Sequence, residues 1–129
     1  MTPSKRVLLV GLQPTLINFA ESDYAAFPGL DAAKVQAGLD GDVSSLNALG
    51  YDVQLCLTDF GETAESVVAA ALASKPYECV LIGAGVRTIG KNFILFEKLL
   101  NLVHQKAPQA KICFNTGPKD SLAAVQRWL

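Results

Sequence analysis

The sequence predicts an α/β three-layer sandwich, in which helices cover both faces of a four-stranded parallel sheet of order 2-1-3-4. Four short segments have the pattern of strands, each is followed by a segment with helical periodicity, and two of the strands are apolar without interruption. Because strands that alternate with helices imply right-handed crossovers, the sheet is expected to be parallel. The length of 129 residues suits one domain, so residues 1–129 are treated as a single unit.

The four predicted strands differ in how continuously apolar they are. Residues 7–12 and 79–83 are apolar throughout, which is typical of strands covered on both faces. Residues 51–58 alternate between apolar and polar side chains, and residues 111–115 are short and mixed. The first and third strands are therefore expected in the centre of the sheet, with the second and fourth at its edges.

Helical periodicity between these strands predicts four helices, at residues 31–49, 62–74, about 91–106 and 118–129. Gly50 is expected to end the first of them as the residue after its C-terminus. The order of the strands places the first and fourth helices on one face of the sheet and the second and third on the other.

The third predicted helix is apolar on almost every side. Its expected inward stripe comprises Phe93, Phe96, Leu100 and Val103, while further apolar residues occupy other sectors: Ile94, Leu95, Leu99 and Leu102. A small sheet does not cover so wide an arc, so an interface is one explanation. We therefore expect a homodimer through the third and fourth helices or the edge of the fourth strand; the alternative is a monomer whose loops cover these residues.

Composition excludes several classes of protein. Half of the residues are apolar and the net charge is −1, which argues against disorder and against a nucleic acid as partner. The longest apolar run, residues 7–12, is far shorter than the roughly 20 residues that a membrane span needs. Three cysteines are few and odd in number, which argues against a disulfide framework and predicts a cytoplasmic protein.

The fold predicts where a binding site belongs. In an open parallel sheet, ligands bind at the carboxyl ends of the strands where the strand order reverses, here between the first and third strands. The loops at residues 13–30, 83–90 and 115–119 meet at this crevice. The first loop has about 18 residues, which exceeds the usual length of such connections. It is either a ligand-binding lid or a plug of apolar side chains.

Candidate ligand-binding residues follow from these loops. Glycines at 83 and 85 allow a ligand to approach the backbone, and Arg87 is suited to bind a carboxylate or phosphate. The remaining candidates at the crevice are Gln13, Asn115 and Thr116. The alternatives are a glycine-rich turn with a solvated arginine and, for Thr116 or Gly117, the cap of the last helix.

Two functions fit this site. The first is a non-catalytic binding or regulatory module that holds a small anionic ligand at the carboxyl ends of strands one, three and four. The second is a small enzyme acting on a carboxylated or phosphorylated metabolite, with Arg87 orienting the substrate and Glu21, Asp23 or Asp59 as the base. The enzyme requires one of these carboxylates to have a raised pKa in a pocket shared with Arg87. For Asp59, capping of the second helix is the competing expectation.

The sequence lacks the residue patterns that other common catalytic, metal and cofactor sites require. The only histidine, His104, is expected at the rim of the sheet opposite the crevice, where a pair with Cys79 is conceivable but has no further support. The cysteines at 56, 79 and 113 stand on three separate strands without the spacing of a zinc site, so no metal is expected. No cofactor motif occurs either, and no cofactor is expected.

The predicted arrangement is flavodoxin-like and resembles that of phosphoacceptor receiver domains, but residues 11–13 and 83–85 lack the acids of the receiver pattern. A closer resemblance rests on three segments: Gly83-Ala84-Gly85-Val86-Arg87, Phe114-Asn115-Thr116-Gly117-Pro118-Lys119-Asp120-Ser121 and Trp128-Leu129. With these the chain resembles a family of small uncharacterised bacterial and fungal proteins. That resemblance implies one small α/β domain and assigns no catalytic residue.

Overall fold

A computed structural model describes residues 4–117 and 119–129. Its four strands are β1 (Arg6–Leu12), β2 (Asp52–Thr58), β3 (Cys79–Ile82) and β4 (Lys111–Phe114). They form one parallel sheet of order β2-β1-β3-β4, which confirms the predicted fold class and strand order.

The central strands are the two with uninterrupted apolar sequence. Every residue of β3 is buried, and so are the six residues of β1 that follow Arg6. These strands pair in the register Val7 with Cys79 through Val10 with Ile82. Since the two strands run in the same direction, their carboxyl ends lie side by side at one edge of the sheet.

The helices are α1 (Ala32–Ala48), α2 (Ala64–Ser74), α3 (Ala84–Arg87), α4 (Phe93–Lys106) and α5 (Ser121–Gln126), with short 3-10 turns at Pro14–Leu16, Ser22–Tyr24 and Gly90–Asn92. None of the helices formed by the described residues could cross a membrane.

The ends of α1 follow from local chemistry. The side chain of Asp31 accepts a hydrogen bond of 2.8 Å from the N–H of Lys34 and so satisfies one of the free donors of the first turn. At the other end Gly50 has φ of +95°, a conformation that glycine adopts without the steric cost other residues meet. Both ends agree with the prediction.

The last helix is shorter than predicted. It begins at Ser121 and ends at Gln126, whereas the sequence pattern predicted residues 118–129. The carboxylate of Asp120 accepts hydrogen bonds from the N–H groups of Thr116 and Gly117, which keeps these residues in a turn before the helix. The expected capping by Thr116 or Gly117 is therefore wrong, and the expected role of Pro118 in the first turn lies outside the described residues.

Two apolar cores lie on opposite faces of the sheet. The first core joins α2 and α4 to β1 and β3, with Val68 and Leu99 among its fully buried side chains. The second joins α1 and α5 to the other face of the same strands, with Leu46 and Val125 at its centre. This distribution agrees with the predicted placement of the helices.

The orientation of α4 differs from the prediction. Of the predicted inward stripe, Val103 is buried and Phe96 and Leu100 are partly buried against the core, but Phe93 is 58% exposed. Leu95 and Leu99, which were expected in other sectors, are buried. A stripe from 95 to 103 in steps of four and one that starts at Phe93 are both helical. Because the helix is apolar on adjacent faces, periodicity alone did not distinguish the two stripes. The contacts with the sheet determine which face of the helix is buried.

Candidate functional site

A cavity of about 270 Å³ lies at the carboxyl ends of β1 and β3, where the prediction placed the crevice. It extends between the end of the sheet and the first half of α1. Backbone of β1 and of the turn after β3 forms its floor, and residues of α1 form one wall. Most of the side chains around it are apolar: Leu12, Ile17, Phe19, Tyr24, Phe27, Leu30, Val35, Leu39, Ala84 and Ile89.

Residues 13–30, called the covering loop below, form the outer wall of this cavity. Ile17, Phe19, Tyr24 and Phe27 line the cavity from this loop. The rings of Phe19 and Tyr24 meet edge to face, with their centroids 5.2 Å apart. The apolar side chains of the loop pack over the crevice and leave a cavity beneath them.

Lys91 connects the covering loop to two neighbouring loops. Its ammonium group forms an ion pair with Glu21 of the covering loop. The same nitrogen lies 6.0 Å from the ring centroid of Tyr24 and 5.5 Å from that of Phe60, which follows β2. The hydrogen bond to Glu21 is the main reason that the pKa of Lys91 is raised. One side chain thus links the loops that follow β1, β2 and β3.

Tyr24 carries an unpartnered polar group. Its side chain is 6% exposed, and its hydroxyl is buried without a hydrogen-bond partner among the described residues. Desolvation raises the pKa of Tyr24, with Lys91 acting in the opposite direction. An unpaired buried hydroxyl costs about 1–3 kcal/mol, so this part of the covering loop is held closed at an energetic cost.

A chain of hydrogen bonds links α3, β4, α5 and α1 beside the cavity. Asn115 follows β4, and its Oδ1 accepts the N–H of Ala84 at 2.8 Å. Its Nδ2 donates to the hydroxyl of Ser121 at 2.8 Å, and that hydroxyl donates to Oδ2 of Asp42 at 2.7 Å. Asn115 and Ser121 are both buried, so the chain fixes the end of β4 against both helices.

Asp42 lines the cavity and was not among the residues that the sequence predicted there. It lies on α1 and is partly buried. Desolvation raises its pKa, the hydrogen bond from Ser121 opposes this, and the charge of Asp120 adds to the rise. A signal was present, since Asp42 stands in the helical stripe of Val35, Leu39 and Leu46, where an acidic residue interrupts the apolar pattern.

Arg87 does not line the cavity. One of its terminal nitrogens donates to the carbonyl oxygen of Asn115 at 2.6 Å, and its guanidinium carbon lies 5.6 Å from the ring centroid of Phe114. Its Nε is buried without a partner among the described residues. The side chain therefore packs against the end of β4, where it holds the strand terminus in place.

The other predicted ligand-binding residues divide into two groups. Gly83, Gly85, Asn115 and Thr116 line the cavity, whereas Gln13 does not. The side chain of Gln13 donates to the hydroxyl of Thr15 at 3.2 Å.

Two of the cavity-lining candidates have local structural roles. The hydroxyl of Thr116 donates to Asp120 at 2.6 Å. At Gly83 a Cβ would lie 3.3 Å from the carbonyl oxygen of Val10, so the close approach of two strands explains this glycine.

The carboxylates proposed as a catalytic base lie outside the cavity lining. Asp59 accepts hydrogen bonds from the N–H and hydroxyl of Thr63 and from the N–H of Gly61, and these bonds lower its pKa, the Thr63 hydroxyl most. The expected capping of α2 by Asp59 is wrong, because the N-cap of this helix is Thr63, and the carboxylate of Asp59 instead holds the turn before it. Glu21 pairs with Lys91, and Asp23 is exposed. Neither these carboxylates nor Arg87 line the cavity, so they share no pocket there.

Two of the cysteines lie closer together than expected. The sulfur atoms of Cys79 and Cys113 are 3.4 Å apart, and both thiols are buried on the face that packs against α1 and α5. The hydrogen bond with Cys79, together with burial, raises the pKa of Cys113. His104 lies on α4 at the opposite face, so it does not pair with Cys79. Within residues 4–117 and 119–129 no three potential ligands gather as a metal site would require.

No protein-family model matches this chain, and no curated protein matches it either. Function is therefore inferred from the cavity and the residues around it.

Proposed function

We propose that this chain is a non-catalytic binding module whose cavity takes one small, mainly apolar molecule. The observation that carries the proposal is the cavity of about 270 Å³ at the carboxyl ends of β1 and β3, with a lining that is largely apolar. Its size is near the lower end of the range for small-molecule sites, and its position is the usual one in this class of fold.

The polar groups around the cavity favour an apolar ligand over the small anion that the sequence suggested. The guanidinium of Arg87 is engaged by Asn115 and Phe114, and the hydroxyl of Thr116 is engaged by Asp120. The lining also contains the carboxylate of Asp42, which repels an anion. Lys34 lies at the exposed end of α1 and donates to the carbonyl oxygen of Gly29 at 2.6 Å.

The covering loop suits a module that encloses its ligand. It is fastened by polar contacts at the surface, between Lys91 and Glu21 and between Lys34 and Gly29. The first contact is an exposed ion pair, which stabilises a protein only weakly, and the second is an exposed hydrogen bond to a backbone carbonyl. The loop is therefore expected to open readily for ligand exchange, while its aromatic residues exclude water when it closes.

Binding is tested by titrating ¹⁵N-labelled protein with benzene, indole and benzyl alcohol and following the backbone amide signals by NMR. We expect saturable shifts at Gly11, Gly83 and Gly85 and in residues 17–24. A variant with Val35→Trp fills the cavity from α1 and should lose these shifts.

The matched control is Val67→Trp, which makes the same change at an exposed position on α2 outside the cavity lining. It should bind as the unchanged protein does, and the melting temperature of both variants shows that they fold. Absence of saturable shifts with all three compounds, or shifts that survive Val35→Trp in a folded protein, would contradict the proposal.

Self-association and location complete the proposed function. Phe93 and Ile94 on α4 and Trp128 after α5 are more than half exposed, which supports a homodimer through these helices. A mass of one chain by light scattering across a hundredfold range of concentration would contradict it.

The three cysteines and the net charge of −1 support a cytoplasmic module that binds no nucleic acid.

A further inference from the structure

We propose that the ligand of this cavity carries an ammonium group and that Asp42 binds it. The inference rests on the proposed binding function and adds the chemical class of the ligand, a small apolar amine. It follows from the hydrogen-bond chain that ends at Asp42 and from the charges around the cavity.

The direction of each hydrogen bond in the chain is fixed by its first donor. The N–H of Ala84 can only donate, so Asn115 turns Oδ1 toward it and presents Nδ2 to Ser121. The amide nitrogen also can only donate, so the hydroxyl of Ser121 accepts from it and directs its own hydrogen to Oδ2 of Asp42. Asp42 is therefore held as an acceptor.

The second oxygen of Asp42 is available to a ligand. Among the described residues only Oδ2 has a hydrogen-bond partner, and Asp42 forms no ion pair with them. Because Ser121 holds one oxygen in place, the carboxylate has a fixed orientation at the cavity wall. An oriented acceptor loses little conformational entropy when a donor binds to it.

The charges near Asp42 agree with a cationic ligand. Asp120, which precedes α5, adds a second negative charge in its neighbourhood. Lys34 is the only cationic side chain among the described residues of the lining, and it is exposed and bonded to Gly29. Lys119 lines a neighbouring surface pocket together with Asp42, but the two form no ion pair among the described residues. An ammonium group in the cavity would supply the carboxylate with a positive partner and strong hydrogen-bond donors.

The inference is tested with three compounds that share one ring: benzylamine, benzyl alcohol and benzoate. Their dissociation constants are measured at pH 7 by NMR titration of the whole chain. We expect benzylamine to bind on the order of tenfold more tightly than benzyl alcohol, and benzoate more weakly than both, since a hydrogen bond to a charged group is stronger than a neutral one.

Asp42→Asn removes the charge, and its Oδ1 still accepts from Ser121, so the variant should fold and bind benzyl alcohol while losing the preference for the amine. The control Asp40→Asn makes the same change of charge two residues earlier on α1, where Asp40 is exposed and, within the described part of the chain, accepts only from Gln36. It should keep the preference.

Each outcome separates the two proposals. Equal binding of amine and alcohol, tighter binding of benzoate, or an amine preference that survives Asp42→Asn overturns the role of Asp42 while leaving the binding function intact. The first two of these outcomes, equal binding of amine and alcohol and tighter binding of benzoate, are measured on the unchanged protein and do not depend on whether the variant folds. Failure of all three compounds to bind overturns the binding function itself.

Discussion

Replacing Asn115 by alanine tests whether the hydrogen-bond chain holds the end of β4 and the wall of the cavity together. The substitution removes the acceptor of the Ala84 N–H and the donor to Ser121, both at 2.8 Å. The backbone carbonyl of Asn115, which accepts from Arg87, is unchanged. The variant therefore isolates the two side-chain bonds.

The expected loss follows from the burial of the groups involved. A hydrogen bond within a protein contributes about 1 kcal/mol net, and a buried donor left without a partner costs about 1–3 kcal/mol. Ser121 keeps Asp42 as its partner, and Ala84 is only partly buried, so water reaches part of the exposed donor. We expect the free energy of unfolding to fall by about 2 kcal/mol, which lowers Tm by roughly 6–10 °C in a chain of this size.

Urea unfolding followed by circular dichroism measures this change. Asn101→Ala is the control, because Asn101 is exposed on α4 and its one hydrogen-bond partner among residues 4–117 and 119–129 is the carbonyl oxygen of Glu97, one turn earlier. It should change the free energy of unfolding by less than about 0.5 kcal/mol. If Asn115→Ala is no more destabilising than this control, the series of hydrogen bonds from Ala84 to Asp42 does not stabilise the fold, and the argument for an oriented Asp42 fails.

Further outcomes are expected at other residues. Leu99→Ala should lower the free energy of unfolding by about 2–5 kcal/mol and Phe93→Ala by less than about 0.5 kcal/mol, because Leu99 is buried and Phe93 is exposed; a larger loss at Phe93 than at Leu99 would place α4 in the predicted orientation instead. Tyr24→Phe removes an unpartnered hydroxyl and should raise the free energy of unfolding by about 1–3 kcal/mol in urea unfolding, and a clear loss would reveal a partner for that hydroxyl. Asp59 has a lowered pKa, so its contribution to stability is present above its unfolded value of 3.8 and is lost as the pH falls through the folded value. The stability of Asp59→Ala should consequently decline less than that of the unchanged protein as the pH falls below about 4; parallel declines would contradict the assigned hydrogen bonds.

The sheet could be predicted because its strands differ in burial. Uninterrupted apolar sequence in residues 7–12 and 79–83 has one physical explanation in a small domain, which is cover on both faces. The facing of α4 could not be predicted in the same way, since Phe93 and Leu95 head equally good helical stripes. Only the contacts with the sheet, which are distant in sequence, choose between such faces.

The position of the cavity was predictable, but the partners of the polar side chains beside it were not. Strand order alone locates the crevice, and Gly83, Gly85, Asn115 and Thr116 do line the cavity there. The hydrogen-bond partners of a polar side chain could not be predicted in this way, because they depend on packing between segments that are distant in sequence. Arg87 illustrates this: its sequence neighbours suggest a free cation, and its contacts with Phe114 and Asn115 appear only in three dimensions.

The polar residues at the carboxyl ends of the strands explain why an apolar cavity arises where the sequence suggested an anion site. Asn115 is bonded to Ala84 and Ser121, and Thr116 to Asp120, so these side chains satisfy one another rather than a ligand. With the polar groups paired, the aromatic residues of the covering loop determine the character of the space that remains. Asp42 differs from the others in having one oxygen bonded and one available, which makes it the residue at which the cavity distinguishes one ligand from another.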